Sequence, residues 1–331
     1  MTTNEKTPEP QGTYKRVGGW SLMQWPPFDI QKVTYYNYVI DADINALTRL
    51  CDAFFNNTSG GAVQYKPLIP QIIFSYANIE EATSSDPRAG STPERDILLW
   101  TPVVRLGPEG HSVIAVPVFS PFVFVDNAVA VQLGREMFGF PKNWCQLLTK
   151  PDSPSSTEGI LVHAYTKPAD EEVLAPRKIL NLKCTGTGPE PKWIHGAVEV
   201  IEEILSIAKT FITDENGLGL VKNAEAIAVA TASLLQMEQS FCFLKQFPSM
   251  SNDAMCCYQA IGEMASKLGA IKRFGVLTNE YELEYVDDMF HHFKEAFGWA
   301  DGPLKVRAAF YMDFSFTIVS GKVVWQAVTP G

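Results

Sequence analysis

The sequence predicts an α+β protein in which an antiparallel sheet or barrel carries an inserted pair of helices. Segments of strand length and composition follow one another through turns at 35–44, 70–79, 96–106 and 112–125. Consecutive strands joined in this way favour antiparallel pairing over a βαβ array. The apolar spacing becomes helical near 194–238, and strand-like segments resume after it.

Two short helices are predicted between the early strands. Asp43 can cap a helix that follows the first strand, and Asp126 with Asn127 can cap another through 128–138. Gly139 and Pro141 would end the second helix. This arrangement would place Lys142 just past a helix C-terminus.

The second half of the chain is predicted to begin with the helical insert and to end in strands. The insert holds helices at 194–212 and 224–238, and a short helix is expected at 287–297. The later strand candidates are 240–247, 256–262, 272–278 and 306–319. We expect a disordered tail over 1–19 and one domain over 20–331, because no linker divides the chain.

Composition limits the kind of partner. The net charge of −10 argues against nucleic acid and anionic membranes, which need clustered Lys and Arg. Six cysteines without CxxC pairs indicate free thiols and no metal site. The N-terminus has no apolar signal core, so we expect a cytoplasmic protein whose partner is a small molecule or another copy of itself.

Familiar catalytic motifs are missing from the sequence. GxGxxG, the Walker spacing, HExxH and GxSxG are all absent. The remaining candidate is GREMFGFPKNWCQ, 134–146, where Lys142 stands among apolar residues. By itself, such a lysine is more often a surface cation beside a helix end.

The stretch VQLGREMFGFPKN, 131–143, resembles the motif of the acetoacetate decarboxylase superfamily, in which Tyr/Phe-Pro-Lys presents a Schiff-base lysine. Weaker similarity covers 35–47, 243–248 with 256–261, and 313–325. The resemblance implies a cone-shaped, largely antiparallel β-barrel with flanking helices that holds the lysine inside. It also implies a homo-oligomer that needs no cofactor. The insert has no counterpart in the short bacterial decarboxylases.

The implied chemistry needs a neutral amine. A lysine with the usual pKa of about 10.4 is almost always charged at pH 7. Lowering the pKa by ~3 units, worth ~4 kcal/mol, would raise the reactive fraction roughly a thousandfold, and burial or a nearby cation can do this. The iminium formed with a keto compound is an electron sink for decarboxylation or for aldol, retro-aldol or dehydration reactions.

The sequence also departs from the decarboxylase pattern. Asn143 replaces a second lysine, Val33 replaces an arginine, and Ser75 or a neighbour replaces one pocket glutamate. Glu94 matches the second pocket glutamate, with an exposed loop carboxylate as the alternative. These changes favour the aldolase-dehydratases of the superfamily, and both reaction types stay open.

We therefore expect a Schiff-base-forming carbon–carbon lyase acting on a keto acid or keto compound, with a specialised substrate of secondary metabolism. The alternative is a non-catalytic barrel that binds a small apolar or carboxylate ligand, with Lys142 as counter-ion. The candidate catalytic residues are Lys142, Glu136, Glu94 and Tyr258. The candidate substrate-binding residues are Arg135, Phe138, Phe140, Trp144 and Gln259.

Overall fold

The computed structural model describes residues 24–86, 89–110, 112–167, 171–212, 218–250, 252, 254–319 and 321–327. The tail expected to be disordered, 1–19, lies outside these residues. The strands are β1 Phe28–Asp41, β2 Gln64–Pro67, β3 Gln71–Thr83, β4 Glu94–Leu106, β5 Val113–Ala115, β6 Val118–Val125, β7 Lys142–Thr149, β8 Ile160–Thr166, β9 Ala175–Gly186, β10 Lys192–Ile194, β11 Glu238–Pro248, β12 Cys256–Leu268, β13 Arg273–Leu277, β14 Glu280–Tyr285, β15 Leu304–Ile318 and β16 Lys322–Gln326. The helices are α1 Ile44–Cys51, α2 Ala128–Leu133, α3 Ala197–Phe211, α4 Gly219–Leu235 and α5 Phe293–Phe297.

Most of the strands form one sheet that closes into a barrel. Nine strands complete the ring in the order β15-β1-β3-β4-β6-β7-β8-β9-β14 and back to β15. Neighbours in this ring are antiparallel except β6 and β7, which are parallel. The expected α+β fold with a largely antiparallel barrel is confirmed.

A second, seven-stranded ring shares five strands with the first. β11 pairs with β6, and β12 pairs with both β11 and β15, so that these two strands close a ring over β15, β1, β3, β4 and β6. Because successive side chains of a strand point to opposite faces, each shared strand contributes to two interiors. The fold therefore has two enclosures separated by a common wall.

The nine-stranded ring is filled by side chains. Its core includes Tyr38, Phe74 and Phe124 from the shared wall, and Phe297 from α5 packs with them. Burying an aromatic or large aliphatic side chain contributes roughly 1.5–3 kcal/mol, so this interior is the main stabilising core. The alternate residues of the wall, such as Leu98 and Val123, belong to a different cluster that faces the seven-stranded ring.

The sheet divides along one edge of β6. The start of β6 pairs with β11 through Val118 and Phe119, and its end pairs with β7 through 123–125. Val123 is opposite Lys142, the first residue of β7. The lysine therefore stands where the wall of the seven-stranded ring opens between β7 and β11.

The helices differ in detail from the sequence prediction. Asp43 caps α1 by accepting from the Ala46 amide at 2.7 Å, and Asn127 caps α2 by accepting from the Val129 amide at 2.9 Å. The helix predicted over 128–138 ends at Leu133 and continues as a π-helical turn, Gly134–Phe138. The helix predicted at 287–297 is formed only over its last five residues, as α5.

Candidate active site

Two glycines of the motif determine where Lys142 lies. Gly139 has φ +92°, and a Cβ there would lie 2.6 Å from the Cα of Lys245, so only glycine allows the motif to approach β11. A Cβ on Gly134 would lie 2.5 Å from Cδ of Lys142. The turn between them is closed by the Gly139 and Phe140 amides, which donate to the Gly134 carbonyl. The lysine stem therefore packs directly on the π-helical turn.

The amine of Lys142 contacts two carboxylates on β4. Its Nζ donates to Oε2 of Glu94 at 2.9 Å and lies 3.3 Å from Oδ2 of Asp96. The three side chains are 11%, 13% and 9% exposed. Residues two apart on a strand share a face, so the spacing of Glu94 and Asp96 places both carboxylates beside the amine.

The electrostatics of this triad differ from those that the resemblance implies. Burial acts to lower the pKa of Lys142, but the nearby carboxylates of Asp96 and Glu94 outweigh it and raise the pKa above its ordinary value. Burial, followed by the charge of Glu94, raises the pKa of Asp96 to about 8. Burial and the charge of Glu94 therefore favour a protonated Asp96 at neutral pH, and an ionised Asp96 would hold the proton on the amine more firmly.

Asp96 has an unused hydrogen-bonding position. Its Oδ1 is buried and has no hydrogen-bond partner among the described residues. An unpaired buried oxygen usually costs about 1–3 kcal/mol, so such atoms point to functional positions. Tyr35 of β1 stands in register with Asp96 through Ala77 of β3, and burial followed by the charges of Asp96 and Glu94 raises the pKa of its phenol.

A short hydrogen-bonded network of polar side chains lies on the neighbouring strands β1, β3 and β4. The Ser75 hydroxyl donates to Oδ1 of Asn37 at 2.5 Å and accepts from Nε1 of Trp100 at 2.7 Å. Ser75 stands on β3, the strand where the resemblance expects a pocket glutamate. The network satisfies these buried polar groups and leaves Glu94 and Asp96 as the acids beside the lysine.

The aromatic residues of the motif hold the turn in place. Phe138 and Phe140 contact each other, with ring centroids 6.2 Å apart, and both pack on Phe243 of β11. Trp144 lies against Tyr165 of β8, with ring centroids 5.2 Å apart. The two phenylalanines thus fix the motif to β11, whereas the tryptophan packs on a neighbouring strand.

The polar motif residues line a surface pocket on the outer side of the turn. Glu136 accepts from Nε2 of Gln132 at 3.2 Å, and Arg135 donates to the Lys142 carbonyl at 3.2 Å. Asn143 lines the same pocket, which has a volume of about 510 Å³. Arg135 therefore contacts the backbone of Lys142, whereas the amine of Lys142 points to β4.

Tyr258 lies beside a second lysine, Lys245, whereas Gln259 lies on the other face of the strand pair. Gln259 donates to Gln246 at 3.0 Å, and the ring of Tyr258 lies 5.8 Å from Nζ of Lys245. Lys245 also donates to the Met137 carbonyl at 3.1 Å, and burial lowers its pKa. The structure thus holds two different amines, the buried one of Lys142 paired with carboxylates and the half-buried one of Lys245 beside aromatic rings.

Of the predicted catalytic residues, the structure places Glu94 in contact with the amine of Lys142. Among the described residues, the hydrogen bonds and ion pairs of the Lys142 amine are those with Glu94 and Asp96. Sequence reasoning missed Asp96, although the alternation in ERDILLW places it on the face of Glu94.

Within the described part of the chain, no three His, Cys, Asp or Glu side chains cluster as metal ligands. No described helix has the length and apolar character needed to span a bilayer.

Comparison with known proteins establishes the fold. No sequence family matches the chain, and no curated protein is significantly similar to it. Solved structures do match. Acetoacetate decarboxylase from Legionella pneumophila superposes with a TM-score of 0.58 at 12% identity, covering 92% of this chain and 89% of that one.

Two further matching structures are enzymes other than acetoacetate decarboxylase itself. The enduracididine biosynthesis enzyme MppR in complex with pyruvate gives a TM-score of 0.54 at 13% identity, covering 93% of this chain and 94% of that one. An acetoacetate decarboxylase-like enzyme from Sphingomonas wittichii gives a TM-score of 0.54 at 12% identity, covering 93% of this chain and 96% of that one. The resemblance seen in the motif is confirmed in the fold, since these structures match nearly the whole chain.

Proposed function

We propose that this chain, with its acetoacetate decarboxylase fold, is a Schiff-base-forming lyase that acts on a keto acid or keto compound through Lys142. The observation that carries the proposal is the buried contact of one amine with two carboxylates, Glu94 and Asp96. Similar structures include a decarboxylase and an enzyme bound to pyruvate. Both support a carbonyl substrate for this chain.

The two carboxylates divide the proton transfers between them. Glu94 accepts the hydrogen bond from the ammonium, so it is placed to take the proton and release the neutral amine. The nitrogen lone pair then attacks the carbonyl carbon, and one of the nitrogen protons moves to the former carbonyl oxygen, which gives a neutral carbinolamine. Asp96, protonated at neutral pH, donates its proton to this hydroxyl, which leaves as water while the C=N bond forms.

These transfers conserve the charge of the site. At the start, the ammonium balances the Glu94 carboxylate and Asp96 is neutral. At the end, the iminium balances the Asp96 carboxylate and Glu94 holds the proton. A buried site avoids the cost of unbalanced charge in this way. A raised lysine pKa is thus compatible with imine formation, provided that Glu94 takes the proton as substrate binds.

The iminium supports two outcomes. The electrons of a C–C bond can move to the iminium nitrogen as carbon dioxide leaves, or the Asp96 carboxylate can remove an α-proton to form an enamine for aldol-type chemistry. Asn143, Val33 and Ser75 replace polar groups of the decarboxylase pattern. These replacements favour aldol or dehydration chemistry, on a specialised substrate of secondary metabolism.

We further propose a cytoplasmic homo-oligomer that needs no cofactor. The resemblance in the motif supports the oligomer, and an amine with an acid and a base beside it supports cofactor-free catalysis. The net charge of −10 favours a small molecule over nucleic acid as partner.

Oxygen exchange tests this proposal without knowledge of the natural reaction. Each cycle of imine formation and hydrolysis replaces the carbonyl oxygen of a ketone with one from water. We expect the protein to accelerate ¹⁸O exchange into acetone and 4-oxopentanoate, and Lys142→Arg to abolish the acceleration. Exchange at the buffer rate with a panel of keto compounds would contradict the proposal. Carbon dioxide release from acetoacetate and aldehyde consumption with pyruvate then separate the two outcomes.

The second candidate is a ligand-binding barrel in which Lys142 is only a counter-ion. The raised pKa of Lys142 favours it, because a permanent ammonium attracts a carboxylate. In that case a simple carboxylate such as octanoate should bind with Lys142 in place, while ketones show no oxygen exchange.

A further inference from the structure

Two apolar cavities adjoin each other inside the seven-stranded ring. Each has a volume of about 160 Å³. A cavity of roughly 150 Å³ with an apolar lining can hold a molecule such as benzene. Six residues line both cavities, namely Trp100, Val118, Ile204, Leu234, Gln239 and Phe310. The shared lining makes them two parts of one apolar space.

The helical insert forms one side of this space. Ile204 of α3 and Leu234 of α4 face the strands β4, β6 and β15 across the cavities. The opposite lining comes from the face of β4 and β15 that points away from the nine-stranded core. The insert thus covers one side of the apolar space inside the seven-stranded ring.

The face of β4 that carries the two carboxylates also carries residues of the cavity lining. Glu94, Asp96, Leu98 and Trp100 alternate on β4, and the last two line the cavities. At about 3.3 Å per residue, Leu98 stands about 7 Å and Trp100 about 13 Å from Asp96 along the strand. Tyr35 links the two regions, since it lines one cavity and lies within the field of both carboxylates.

We propose that this space receives the apolar tail of the substrate, so that the enzyme acts on keto compounds with an aliphatic chain of about six to ten carbons or an equivalent aromatic group. The inference rests on the proposed function, because it requires the carbonyl to lie at Lys142. The carbonyl lies at Lys142, and the tail extends past Leu98 toward the helices. Each buried methylene then contributes roughly fourfold in affinity.

A chain-length series tests the inference in the wild-type protein. Pyruvate, 2-oxobutyrate, 2-oxohexanoate and 2-oxooctanoate are incubated with the protein, and borohydride reduces the imine to a stable amine. We expect the concentration for half-maximal labelling of Lys142 to fall from pyruvate to 2-oxooctanoate, by about a thousandfold when all five added methylenes are buried and by at least about tenfold when two are. Labelling by pyruvate that does not improve with chain length would overturn the inference and leave the proposed function intact. Failure of every keto acid to label Lys142 would overturn both.

Adjacent residues of α4 provide a matched pair of variants. Leu234 lines the cavities, whereas the neighbouring Leu235 is 59% exposed. Leu234→Trp should fill the space and remove the preference for 2-oxooctanoate while pyruvate still labels Lys142. Leu235→Trp adds the same ring to the same helix and should keep the preference. Equal preference in both variants, with unchanged circular dichroism, would contradict a tail site beneath the helices.

Discussion

Nζ of Lys142 lies 3.3 Å from Oδ2 of Asp96, and the two groups perturb each other's titration in a buried site. Burial and the charge of Glu94 raise the pKa of Asp96 to about 8, and Asp96 helps to hold the proton on the lysine only once it is ionised. Asp96 can therefore act as a proton donor beside the amine. Its raised pKa also makes the stability of the protein depend on pH.

Asp96→Asn should remove a pH-dependent loss of stability. The pKa of Asp96 is raised from 3.8 to about 8, so its contribution to stability is complete below pH 4 and is lost as the pH rises to 8. The raised pKa of Lys142 contributes constantly over this range, because neither the folded nor the unfolded lysine titrates there. Relative to Asp96→Asn, the wild type should therefore lose stability from pH 5 to pH 8.

Denaturant unfolding at pH 5, 6, 7, 8 and 9 measures this difference. We expect the difference in free energy of unfolding to change by on the order of a few kcal/mol over the series and to level off above pH 8. A constant difference from pH 5 to pH 8 would show that Asp96 is ionised in the folded protein throughout.

Lys142→Met should destabilise the protein more at pH 8 than at pH 5. Removing the ammonium leaves Glu94 and Asp96 buried without a counter-ion, and breaking a buried pair costs about 3–5 kcal/mol. At pH 5 Asp96 is protonated, so fewer buried charges are left unpaired than at pH 8, where Asp96 begins to ionise. Thermal unfolding at both pH values measures the effect, and Lys142→Met/Asp96→Asn should recover part of the loss. Equal destabilisation at the two pH values would argue against charge as the cause.

Gly134→Ala should impair imine formation more than folding. Gly134 has φ −61°, so alanine fits the backbone, but its Cβ would lie 2.5 Å from Cδ of Lys142 and would push the stem away. Overpacking of this kind usually costs about 1–3 kcal/mol. The rate of ¹⁸O exchange should fall by tenfold or more, and the exposed Gln132→Ala on the preceding helix turn should leave it unchanged. A Gly134→Ala protein that exchanges at the wild-type rate would show that the stem position is not restricted.

The sequence predicts the barrel because its strands bury one or both faces and therefore show regular apolar patterns. The cap residues Asp43 and Asn127 act locally, so their roles were readable from neighbouring residues. The two rings were not predictable from local patterns, since they depend on β6 pairing with β11, more than 100 residues later. Short-range patterns carry no information about which distant strands meet.

The candidate active site was also predictable only in part. The motif indicated Lys142, and the alignment indicated Glu94, which the structure places 2.9 Å from the amine. Asp96 was missed, although its place on the face of Glu94 follows from strand alternation. The expected lowering of the lysine pKa depends on the balance between burial and two charges, and that balance is set by distances that a sequence does not contain.

Borohydride trapping with peptide mapping tests the central claim most directly. The chain offers an internal comparison, because burial lowers the pKa of Lys245 whereas carboxylates raise that of Lys142. Incubation with pyruvate, acetoacetate or 2-oxooctanoate followed by borohydride should add one reduced adduct, mapped to Lys142. The adduct should persist in Lys245→Arg and disappear in Lys142→Arg. An adduct on Lys245, or none on the folded protein with any of the three compounds, would contradict the account.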